Sequence, residues 1–564
     1  MSGRNGWVNN MIKRICWWVL VALSLTEADL TFADAAVAVP DRFAADTAGQ
    51  IFKQGGNAVD AAVAIAFTLS VTYPEAGNLG GGGFSTVYFG GTAYFLDYRE
   101  RAPQAAGVSM YLDATGEVVP DLSTIGAKAA GVPGTVAGLW ALHHRFGRLS
   151  WRADLAPAIR YAENGFSVRA DLAESANEFS DTLHGRTNFA HYFGGLQAGH
   201  RLRQPELAHA LRRIALQGRD GFYQGRTAQL ITTDMQRHGG LITLMDLKNY
   251  QAVWRDPIVV NWAGFKVITA PPPSSGGIGL VALLKMKEML APAFSGVLFN
   301  SAQYVHLLAE IEKRVFADRA EYLGDPDYVP VPVAELIDDS YLQKRAHDVR
   351  VSGISPLSSV GPGLVPHHNT THFSVIDAMG NAVSNTYTLN DEFGSGEVVA
   401  GAGFLLNNEM DDFSIKPGTP NLYGVVGGDA NAIAPGKRPL SSMTPTILTR
   451  DGKVALVIGT PGGSRIFTSV FQVITNWHDF SMPLNEAVAV TRVHHQLLPD
   501  NLIYEEPYRF LDQATRDELV VRGYQLENQH WNGNIQAIAV SGKQVVAVAD
   551  PRGGGVGRVF GAPH

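Results

Sequence analysis

The sequence is poor in cysteine and in charge, and it contains no apolar run long enough to cross a membrane. Cys16, near the N-terminus, is the only cysteine among 564 residues, so the rest of the chain can form no disulfide and offers no thiol nucleophile. Charged residues make up 17% of the chain and the formal net charge is −8, without any basic run. This balance argues against a nucleic-acid-binding surface.

The residues that are abundant indicate a globular protein. Hydrophobic residues make up 46% of the sequence, so a chain of this length can bury a large core and is neither disordered nor fibrous. There is no internal repeat and no long low-complexity stretch. Length alone favours two or more domains.

The first 35 residues have the features of a signal peptide. Arg4, Lys13 and Arg14 precede the apolar run Ile15 to Leu25, which is too short to span a bilayer, and Ala33-Asp34-Ala35 offers a small-x-small cleavage site. We therefore predict that residues 1–35 are removed and that the protein is periplasmic or secreted by a bacterium. An uncleaved membrane anchor is the alternative.

Hydrophobic periodicity predicts interleaved helices and strands. The expected helices are 57–70, 205–216, 280–290 and 466–477, and the expected strands are 84–89 and 454–459. These elements do not follow the strict period of a barrel. The pattern alone therefore leaves α/β and α+β folds open.

The segment 370–390 predicts a β-hairpin that brings two threonines together. Thr370 to Asp377 alternates with period 2, the loop Ala378-Met379-Gly380 carries a glycine, and a second β-rich run follows. If Asp377 pairs with Asn381, the register places Thr370 opposite Thr388. Cross-strand partners have Cβ atoms about 4.5 to 5.5 Å apart, so the two hydroxyls could share a hydrogen bond.

A threonine at this position could become a nucleophile if the chain were cut before it. A threonine hydroxyl reacts poorly until a base takes its proton, and the free α-amine of an N-terminal threonine can be that base. Such an amine requires a cut between Asn369 and Thr370. The preceding segment, 351–369, is rich in Ser, Pro, Gly and His and indicates an accessible linker where a cut is tolerated. The alternative is an ordinary threonine-rich hairpin.

Charged and glycine-rich motifs offer further candidate groups, each with a plainer alternative. Arg99 could form a bidentate fork with a carboxylate, or a surface ion pair with Asp97 or Glu100. The turn at Gly462-Gly463 between a strand and a helix supplies backbone N–H groups where an anion is favoured. A nucleotide phosphate loop would need the Lys-Ser/Thr ending that is absent here.

The sequence gives no pattern for a metal or an organic cofactor, and we expect neither. The acidic loop around Glu409 lacks the ligand spacing and the glycine of an EF-hand calcium site. No known zinc spacing with a third ligand occurs among the histidines considered, which are His367, His368, His372, His494 and His495. His372 lies two residues past Thr370 on the same strand face, but the amine is the expected base.

Several motifs together carry a family resemblance. The second half of the chain contains, in this order, NTTHFSVID, TYTLN, FGSG, LLNNEMDDFS, PLSSM and GTPGGSR, and the first half contains DAAVAIAFTLSVTYPEAGNLGGGGF, LDYRERAP and APPPSSGG. They resemble the γ-glutamyltranspeptidase family of N-terminal-nucleophile hydrolases, from about Ala36 to His564. The resemblance implies an α+β fold, a four-layer αββα sandwich built from two chains that self-cleavage produces.

The resemblance also assigns expected roles. It implies a large subunit, 36–369, and a small subunit, 370–564, that form a heterodimer after cleavage at Asn369-Thr370. Thr370 matches the nucleophile, Thr388 the residue that orients it, and Gly462 and Gly463 the oxyanion hole. The residues that match substrate contacts are Arg99 for a carboxylate, Glu409 and Asp412 for an ammonium, and Asn390, Ser441 and Ser442 for the remaining polar groups.

The implied activity is a self-cleaving γ-glutamyltranspeptidase. It would form a γ-glutamyl ester on Thr370, with glutathione as the expected donor, and pass the group to an amino acid, a peptide or water. The stretch 417–439, with Tyr423, resembles a lid loop, which favours a small γ-glutamyl compound over a poly-γ-glutamate chain.

Two rivals to this activity differ in what the site must hold. A cephalosporin or glutaryl acylase would accept a side chain without an α-amine, whereas Arg99, Glu409 and Asp412 together favour a glutamyl group. A non-catalytic homologue would be expected to have a replaced nucleophile or a broken Gly-Gly turn, and this sequence has neither change.

Overall fold

A computed structural model of the chain describes residues 34–360, 370–416, 428–506, 511–529 and 531–561. Its strands, numbered along the described residues, are β1 (Asp34–Val39), β2 (Gly82–Phe89), β3 (Thr92–Tyr98), β4 (Phe166–Ser167), β5 (Arg201–Leu202), β6 (Val253–Arg255), β7 (Ile258–Trp262), β8 (Phe265–Thr269), β9 (Thr370–Ile376), β10 (Ala382–Thr388), β11 (Thr446–Arg450), β12 (Lys453–Gly459), β13 (Asn501–Tyr504), β14 (Gln525–Asn528), β15 (Gln536–Ser541), β16 (Gln544–Ala549) and β17 (Val556–Gly561).

Helices cover much of the remaining chain. In the same numbering they are α1 (Arg42–Lys53), α2 (Ala58–Thr72), α3 (Thr135–Phe146), α4 (Trp151–Asn164), α5 (Ala170–Thr182), α6 (Phe189–Phe193), α7 (Pro205–Gln217), α8 (Asp220–Tyr223), α9 (Gly225–His238), α10 (Leu244–Asn249), α11 (Gly276–Met289), α12 (Ala291–Phe294), α13 (Ala302–Tyr322), α14 (Val333–Leu336), α15 (Asp339–His347), α16 (Arg465–Asp479), α17 (Leu484–Ala489) and α18 (Gln513–Arg522). Short 3₁₀ turns include Glu409–Asp412.

Two antiparallel sheets form the centre of the molecule. The first has the strand order β17-β1-β9-β10-β2-β3-β6, and the second has the order β16-β15-β12-β11-β8-β7. Ala36, Ala38 and Ile376 from the first sheet pack against Ile447 and Val457 from the second. Helix α2, buried along its whole length, covers the outer face of the first sheet, and α11, α13 and α16 cover the second. The arrangement confirms the expected α+β sandwich of four layers.

The hairpin has the register that the sequence predicts. Thr388 lies opposite Thr370 and Ala382 opposite Ile376, and Gly380 in the loop has a φ of +79°. The Asp377 carboxylate accepts hydrogen bonds from the Met379 and Asn381 amides at 2.9 and 3.0 Å. Because these bonds fix the turn, they also fix which residues face each other along both strands.

The predicted helices and strands occur, with one start displaced. The helix expected at 280–290 begins at Gly276. A Cβ atom on Gly277 would lie 2.0 Å from the Ala270 carbonyl oxygen, and one on Gly276 would lie 2.0 Å from the Thr444 hydroxyl. The two glycines, which precede the expected start of the helix, therefore let the first turn of α11 pack directly on the end of β8.

Both sheets combine strands from before and after residue 370. In the first sheet β1 lies between β17 and β9, and pairs antiparallel with both. In the second sheet β8, from before residue 370, pairs with β11 from after it. Neither part of the chain therefore forms a sheet of its own in either layer.

The predicted signal peptide lies almost entirely outside the described residues. Its last two positions, Asp34 and Ala35, already belong to β1 and pair with Gly561 and Phe560. Removal of residues 1–35 stays a prediction, and such a cut would shorten β1 by these two residues. Within the described residues, no helix combines the length and the apolar character needed to cross a membrane.

One buried acid in the helical layer leads to a prediction about stability. Asp154 in the first turn of α4 is fully buried, neither carboxylate oxygen has a hydrogen-bond partner, and burial raises its pKa to about 9. An unfolded aspartate has a pKa of about 3.9, so folding binds a proton between about pH 4 and pH 9. Because the unfolded state binds fewer protons in this window, the free energy of unfolding should fall as the pH rises.

Asp154→Asn should reduce the fall in the free energy of unfolding with rising pH. At pH 8 it should raise that free energy by on the order of 1–3 kcal/mol. Urea unfolding of parent and variant at pH 5 and pH 8 measures the effect, with the exposed Asp181→Asn as the control. Parallel pH profiles for parent and Asp154→Asn would contradict a protonated Asp154.

Candidate active site

The two hairpin threonines lie at the mouth of a cavity. Thr370 is the first residue of β9 and is partly exposed, whereas Thr388 at the end of β10 is buried. The Thr370 hydroxyl donates a hydrogen bond to Thr388 Oγ1 over 3.3 Å, and the Asn390 amide donates to the same oxygen over 2.7 Å. Thr388 is therefore held in place and in turn orients the Thr370 hydroxyl.

The glycine-rich segment before β2 supports Thr388 from behind. Asn78 Nδ2 donates to the Thr388 carbonyl oxygen over 2.9 Å, and Asn78 Oδ1 accepts from the Gly81 amide at 3.0 Å and the Thr135 hydroxyl at 2.6 Å. A Cβ atom on Gly81 would lie 1.9 Å from the Thr388 carbonyl oxygen. The glycines therefore allow two backbones to approach more closely than any side chain permits.

A helix N-terminus faces the same cavity. Gly462 and Gly463 follow β12 and have φ angles of +141° and +55°, which favour glycine at both positions. They redirect the chain into α16, and Gly463, Ser464 and Ile466 line the cavity together with Thr370. The first turn of this 15-residue helix carries a partial positive charge, which stabilises an anion close to the threonine.

The cavity is small, with a volume of about 30 Å³, and most of its lining residues are polar. It is bounded by residues of both the early and the late part of the chain. They are Arg99, Arg319, Thr370, Thr388, Asn390, Glu409, Asp412, Ser441, Ser442, Met443, Gly463, Ser464 and Ile466. Of the expected site residues that the structure describes, Gly462 alone is absent from this lining, and it is the immediate neighbour of Gly463.

Arg99 lies at the centre of a buried charge cluster. It follows β3, is 1% exposed, and forms ion pairs with Glu409 and Asp412. Glu100 Oε2 is 3.6 Å from its Nη1 atom. The prediction of a surface ion pair is therefore wrong in its location, because Arg99 and Glu100 are both buried where they pair. The alternative partner Asp97 pairs with Arg255 and Arg438 instead.

Burial sets the electrostatics of this cluster. It raises the pKa of Glu409 well above its usual range, with Arg99 opposing the rise, and it raises the pKa of Asp412 in the same way. Burial raises the pKa of Glu100 to about 7. A ligand that carries both a negative and a positive group can replace these ion pairs with its own. It therefore leaves no charge of the buried cluster unpaired.

Arg319 is a cavity residue that sequence reasoning missed. It lies on the buried side of α13, where its Nε donates to Ser275 Oγ over 3.0 Å and its Nη2 donates to Ser442 Oγ over 3.2 Å. Burial lowers its pKa to about 10, with Asp412 opposing the decrease. It supplies a second cation to the cavity. Nothing in the sequence singles out Arg319, because it lies in none of the recognised motifs.

The motif Pro271 to Gly277 has a structural role that the sequence did not reveal. The Ser275 amide and hydroxyl donate to the Ser441 carbonyl oxygen over 2.8 and 2.7 Å, and the Ser441 amide donates to the Pro273 carbonyl oxygen over 2.9 Å. These bonds hold the Ser441-Ser442 segment against the cavity. Asn390, with a φ of +80°, is fixed by its Nδ2 donating to the Asn408 carbonyl oxygen over 3.0 Å.

The remaining candidates lie apart from the cavity or outside the described residues. Asn369 and Tyr423 belong to the latter group. His372 is buried between the sheets, where its ring contacts Thr386 and Ser374, and burial lowers its pKa to about 3. A neutral imidazole that already has two hydrogen-bond partners is no competing base for Thr370.

The chain is similar to known proteins over most of its length. Residues 44–560 match the family model described as Gamma-glutamyltranspeptidase. The chain is 60% identical over 541 residues to the glutathione hydrolase proenzyme of Pseudomonas aeruginosa, which covers 96% of this chain and 97% of that protein.

Solved structures with the same fold include both a transpeptidase and an acylase. The γ-glutamyltranspeptidase from Pseudomonas nitroreducens complexed with L-DON superposes with a TM-score of 0.57 and 56% identity, over 58% of this chain and 98% of that chain. The cephalosporin acylase from Bacillus halodurans superposes with a TM-score of 0.81 and 27% identity, over 94% of this chain and 96% of that chain.

Proposed function

Because the chain belongs to the γ-glutamyltranspeptidase family of N-terminal-nucleophile hydrolases, it is an enzyme that transfers or hydrolyses γ-glutamyl groups, and from this premise we propose that Thr370 is its nucleophile. The observation that carries the proposal is the position of the Thr370 hydroxyl. It lies 3.3 Å from Thr388 Oγ1 at a cavity that also contains Arg99, Glu409 and Asp412.

Maturation would use the same hydroxyl as turnover. The Thr370 hydroxyl attacks the carbonyl carbon of Asn369, the peptide C–N bond breaks, and an ester joins the two parts of the chain while the amine of Thr370 is released. Water then hydrolyses the ester. The products are a large subunit, 36–369, and a small subunit, 370–564, whose free α-amine can take the proton from the hydroxyl in later cycles.

Turnover then follows from the groups around Thr370. Its oxygen attacks the γ-carbonyl of the donor, and the amides of Gly462 and Gly463 stabilise the oxyanion. Loss of one such donor typically costs about 2.7–4 kcal/mol of barrier. The amine of the donor leaves with a proton, and the resulting γ-glutamyl ester on Thr370 is attacked by an amino acid, a peptide or water.

The charges of the cavity select the donor. A γ-glutamyl group carries an α-carboxylate, which the planar fork of Arg99 suits, and an α-ammonium, which suits Glu409 and Asp412. Ser441, Ser442 and Asn390 would fix its orientation, and Tyr423 would belong to a lid. With a glutathione hydrolase proenzyme among its relatives, the expected donor is glutathione, and the predicted signal peptide favours action in the periplasm or outside the cell.

The intact mass of the purified protein tests the proposal. We expect two fragments that stay associated, with the smaller one extending from Thr370 to His564, and activity on a γ-glutamyl anilide. N-terminal sequencing of the smaller fragment identifies the cut. A purified protein that is active as a single uncut chain would contradict the N-terminal threonine mechanism.

Thr388→Val should slow both self-cleavage and turnover while leaving the fold intact. Valine keeps the shape of threonine but cannot accept the hydrogen bonds from the Thr370 hydroxyl and the Asn390 amide. We expect each rate to fall by about 10- to 100-fold, the effect of about 1.4–2.8 kcal/mol. Rates come from the fraction cut over time and from anilide turnover by the fully cut enzyme. Thr388→Ser, which keeps the hydroxyl, is the control, and equal rates for the two variants would remove Thr388 from its orienting role.

A further inference from the structure

A second cluster of potential ligands lies away from the active-site cavity. Asp234 and His238 are on α9, and Glu397 is in the segment between β10 and β11. One ligand atom of each residue lies within 4.8 Å of the other two. His238 Nδ1 is 2.7 Å from Glu397 Oε1 and 3.7 Å from Asp234 Oδ1. None of the three lines the cavity that contains Thr370.

The two acids of this cluster are buried without sufficient partners. The side chains of Asp234 and Glu397 are each 2% exposed. The Ala400 amide and the His238 ring interact with Asp234, and His238 also interacts with Glu397, but no hydrogen bond of good geometry reaches either oxygen of Asp234 or Oε1 of Glu397. The nearest neutralising group is the His238 ring, which is 41% exposed. Two buried carboxylates that face one imidazole leave a deficit of positive charge, which a bound cation would supply.

The geometry fits a small divalent metal that takes a nitrogen ligand. Zinc binds imidazole nitrogen and carboxylate oxygen at about 2.0–2.2 Å, so ligands of one tetrahedral ion lie about 3.3–3.6 Å from each other. The Asp234–His238 separation of 3.7 Å is close to this range, whereas the His238–Glu397 separation of 2.7 Å is that of a direct ion pair and would have to widen by roughly half an ångström to admit the ion. Asp234 and His238 are four residues apart and therefore share one face of α9. They lie in its last two turns, where the helix dipole favours a cation.

A comparable cluster in the helical layer lacks these features. Asp60, His143 and Asp154 also bring ligand atoms together, but the Asp60 carboxylate already accepts from the amides of Asn57, Arg148 and Leu149. Asp154 lies beside Asp60, whose carboxylate already has hydrogen-bond partners. The raised pKa of Asp154 keeps it protonated, so it needs no cation. The cluster on α9 differs because its histidine is open to solvent and gives an ion a route in.

We propose that Asp234, His238 and Glu397 bind one Zn²⁺ ion, with water at the fourth position of a tetrahedron. Asp234 and His238 precede residue 370, and Glu397 follows it. After a cut before Thr370, the ion would link the large chain to the small one. This consequence rests on the proposed function, whereas zinc binding itself does not depend on it. This site could not be predicted from the sequence, because its third ligand is far along the chain from the other two.

The ion would also fix a segment that leads to the active site. The Glu397 carbonyl oxygen accepts from the Leu406 amide over 2.9 Å, and the Gly401 amide donates to Glu206 on α7 over 2.9 Å. The same segment starts just after Asn390 and ends just before Asn408, whose carbonyl oxygen holds the Asn390 side chain. Zinc would therefore stabilise the outer end of the loop that positions Asn390.

Zinc binding is tested on the processed enzyme and on the uncut Thr370→Ala chain, both stripped with a chelator and dialysed against zinc alone. We expect about one zinc per chain pair, and about one in the uncut chain. Affinity should fall at least about tenfold in His238→Ala and in Glu397→Gln. His209→Ala, at an exposed histidine of the neighbouring helix α7, should keep both zinc binding and activity.

Chain association gives a second readout. Zinc should raise the urea concentration at which the two processed chains separate, and it should have no such effect on Glu397→Gln. Circular dichroism and self-cleavage show whether each variant folds.

Three results would overturn the proposal. Zinc uptake that is undiminished in both His238→Ala and Glu397→Gln would mean adventitious surface binding. No uptake by the folded parent would mean that the two carboxyl groups share a proton instead. Calcium uptake in place of zinc, lost in Glu397→Gln but retained in His238→Ala, would exclude a nitrogen-liganded metal. If the parent were never cut, zinc binding to the single chain would still be measurable, so failure of the proposed function and failure of the metal site are distinguishable.

Discussion

Thr370→Ala should give a single, folded, uncut and inactive chain. Both self-cleavage and turnover require the hydroxyl of this residue, and alanine removes only that hydroxyl and a methyl group from a partly exposed position at the start of β9. Activity on a γ-glutamyl anilide should fall by at least about 10⁴-fold, as expected when a covalent nucleophile is removed. Intact mass and anilide turnover, measured on the same preparation, give both results.

Thr370→Ser is the matched control for this loss. It keeps the hydroxyl and the free amine, so it should still be cut before residue 370 and should retain activity. A contaminating protease is recognised by sequencing the new N-terminus, because a genuine self-cleavage product begins at residue 370. Normal cutting of Thr370→Ala at that position would remove Thr370 from its proposed role.

Asp412→Asn should separate γ-glutamyl from glutaryl substrates. Both carry a carboxylate that Arg99 can bind. Only the γ-glutamyl compound has an ammonium, which would lose its negatively charged partner in this variant. Charge-assisted hydrogen bonds contribute about 1.5–3 kcal/mol, so kcat/KM for a γ-glutamyl anilide should fall by about 10- to 150-fold. The glutaryl anilide should be affected much less, since loss of the ion pair with Asp412 leaves Arg99 more available to its carboxylate.

Arg99→Lys provides the complementary variant in the same assay. Lysine keeps the positive charge but not the planar fork, so both anilides should bind more weakly. Self-cleavage should be nearly unchanged, since the precursor has no free glutamyl carboxylate to hold. A parent enzyme that prefers the glutaryl anilide, or an Asp412→Asn variant that loses both activities equally, would favour an acylase instead.

The features that could be predicted from the sequence are those that local rules determine. The turn at Asp377 to Asn381 fixes the hairpin register, because the side-chain period of a strand is 2 and the turn leaves no freedom to slip. The Thr370–Thr388 contact follows from that register alone. Helix α2 was recognisable for a similar reason, since its apolar sequence is long, continuous and preceded by the capping residue Asn57.

The features that could not be predicted depend on tertiary contacts between distant segments. The sequence assigns Arg99, Glu409 and Asp412 to groups of a substrate by resemblance, but nothing in it shows that they form ion pairs with one another. Arg319 and Asn78 act through backbone atoms and hydroxyls that only the folded chain brings near. The start of α11 was misjudged because Gly276 and Gly277 are typical of a loop, whereas here they permit close packing.

The position of β1 determines what a cut before Thr370 can do to the molecule. This strand comes from the early part of the chain, yet it is hydrogen-bonded on one side to β9 and on the other to β17, both from the late part. Separation of the two cleavage products would break the hydrogen bonds along both edges of β1. It would also expose apolar core residues in each fragment. The two fragments are therefore expected to fold only together, unlike two proteins that fold separately and then bind. Each should be insoluble or unfolded when expressed alone, and reconstitution should require co-folding from denaturant.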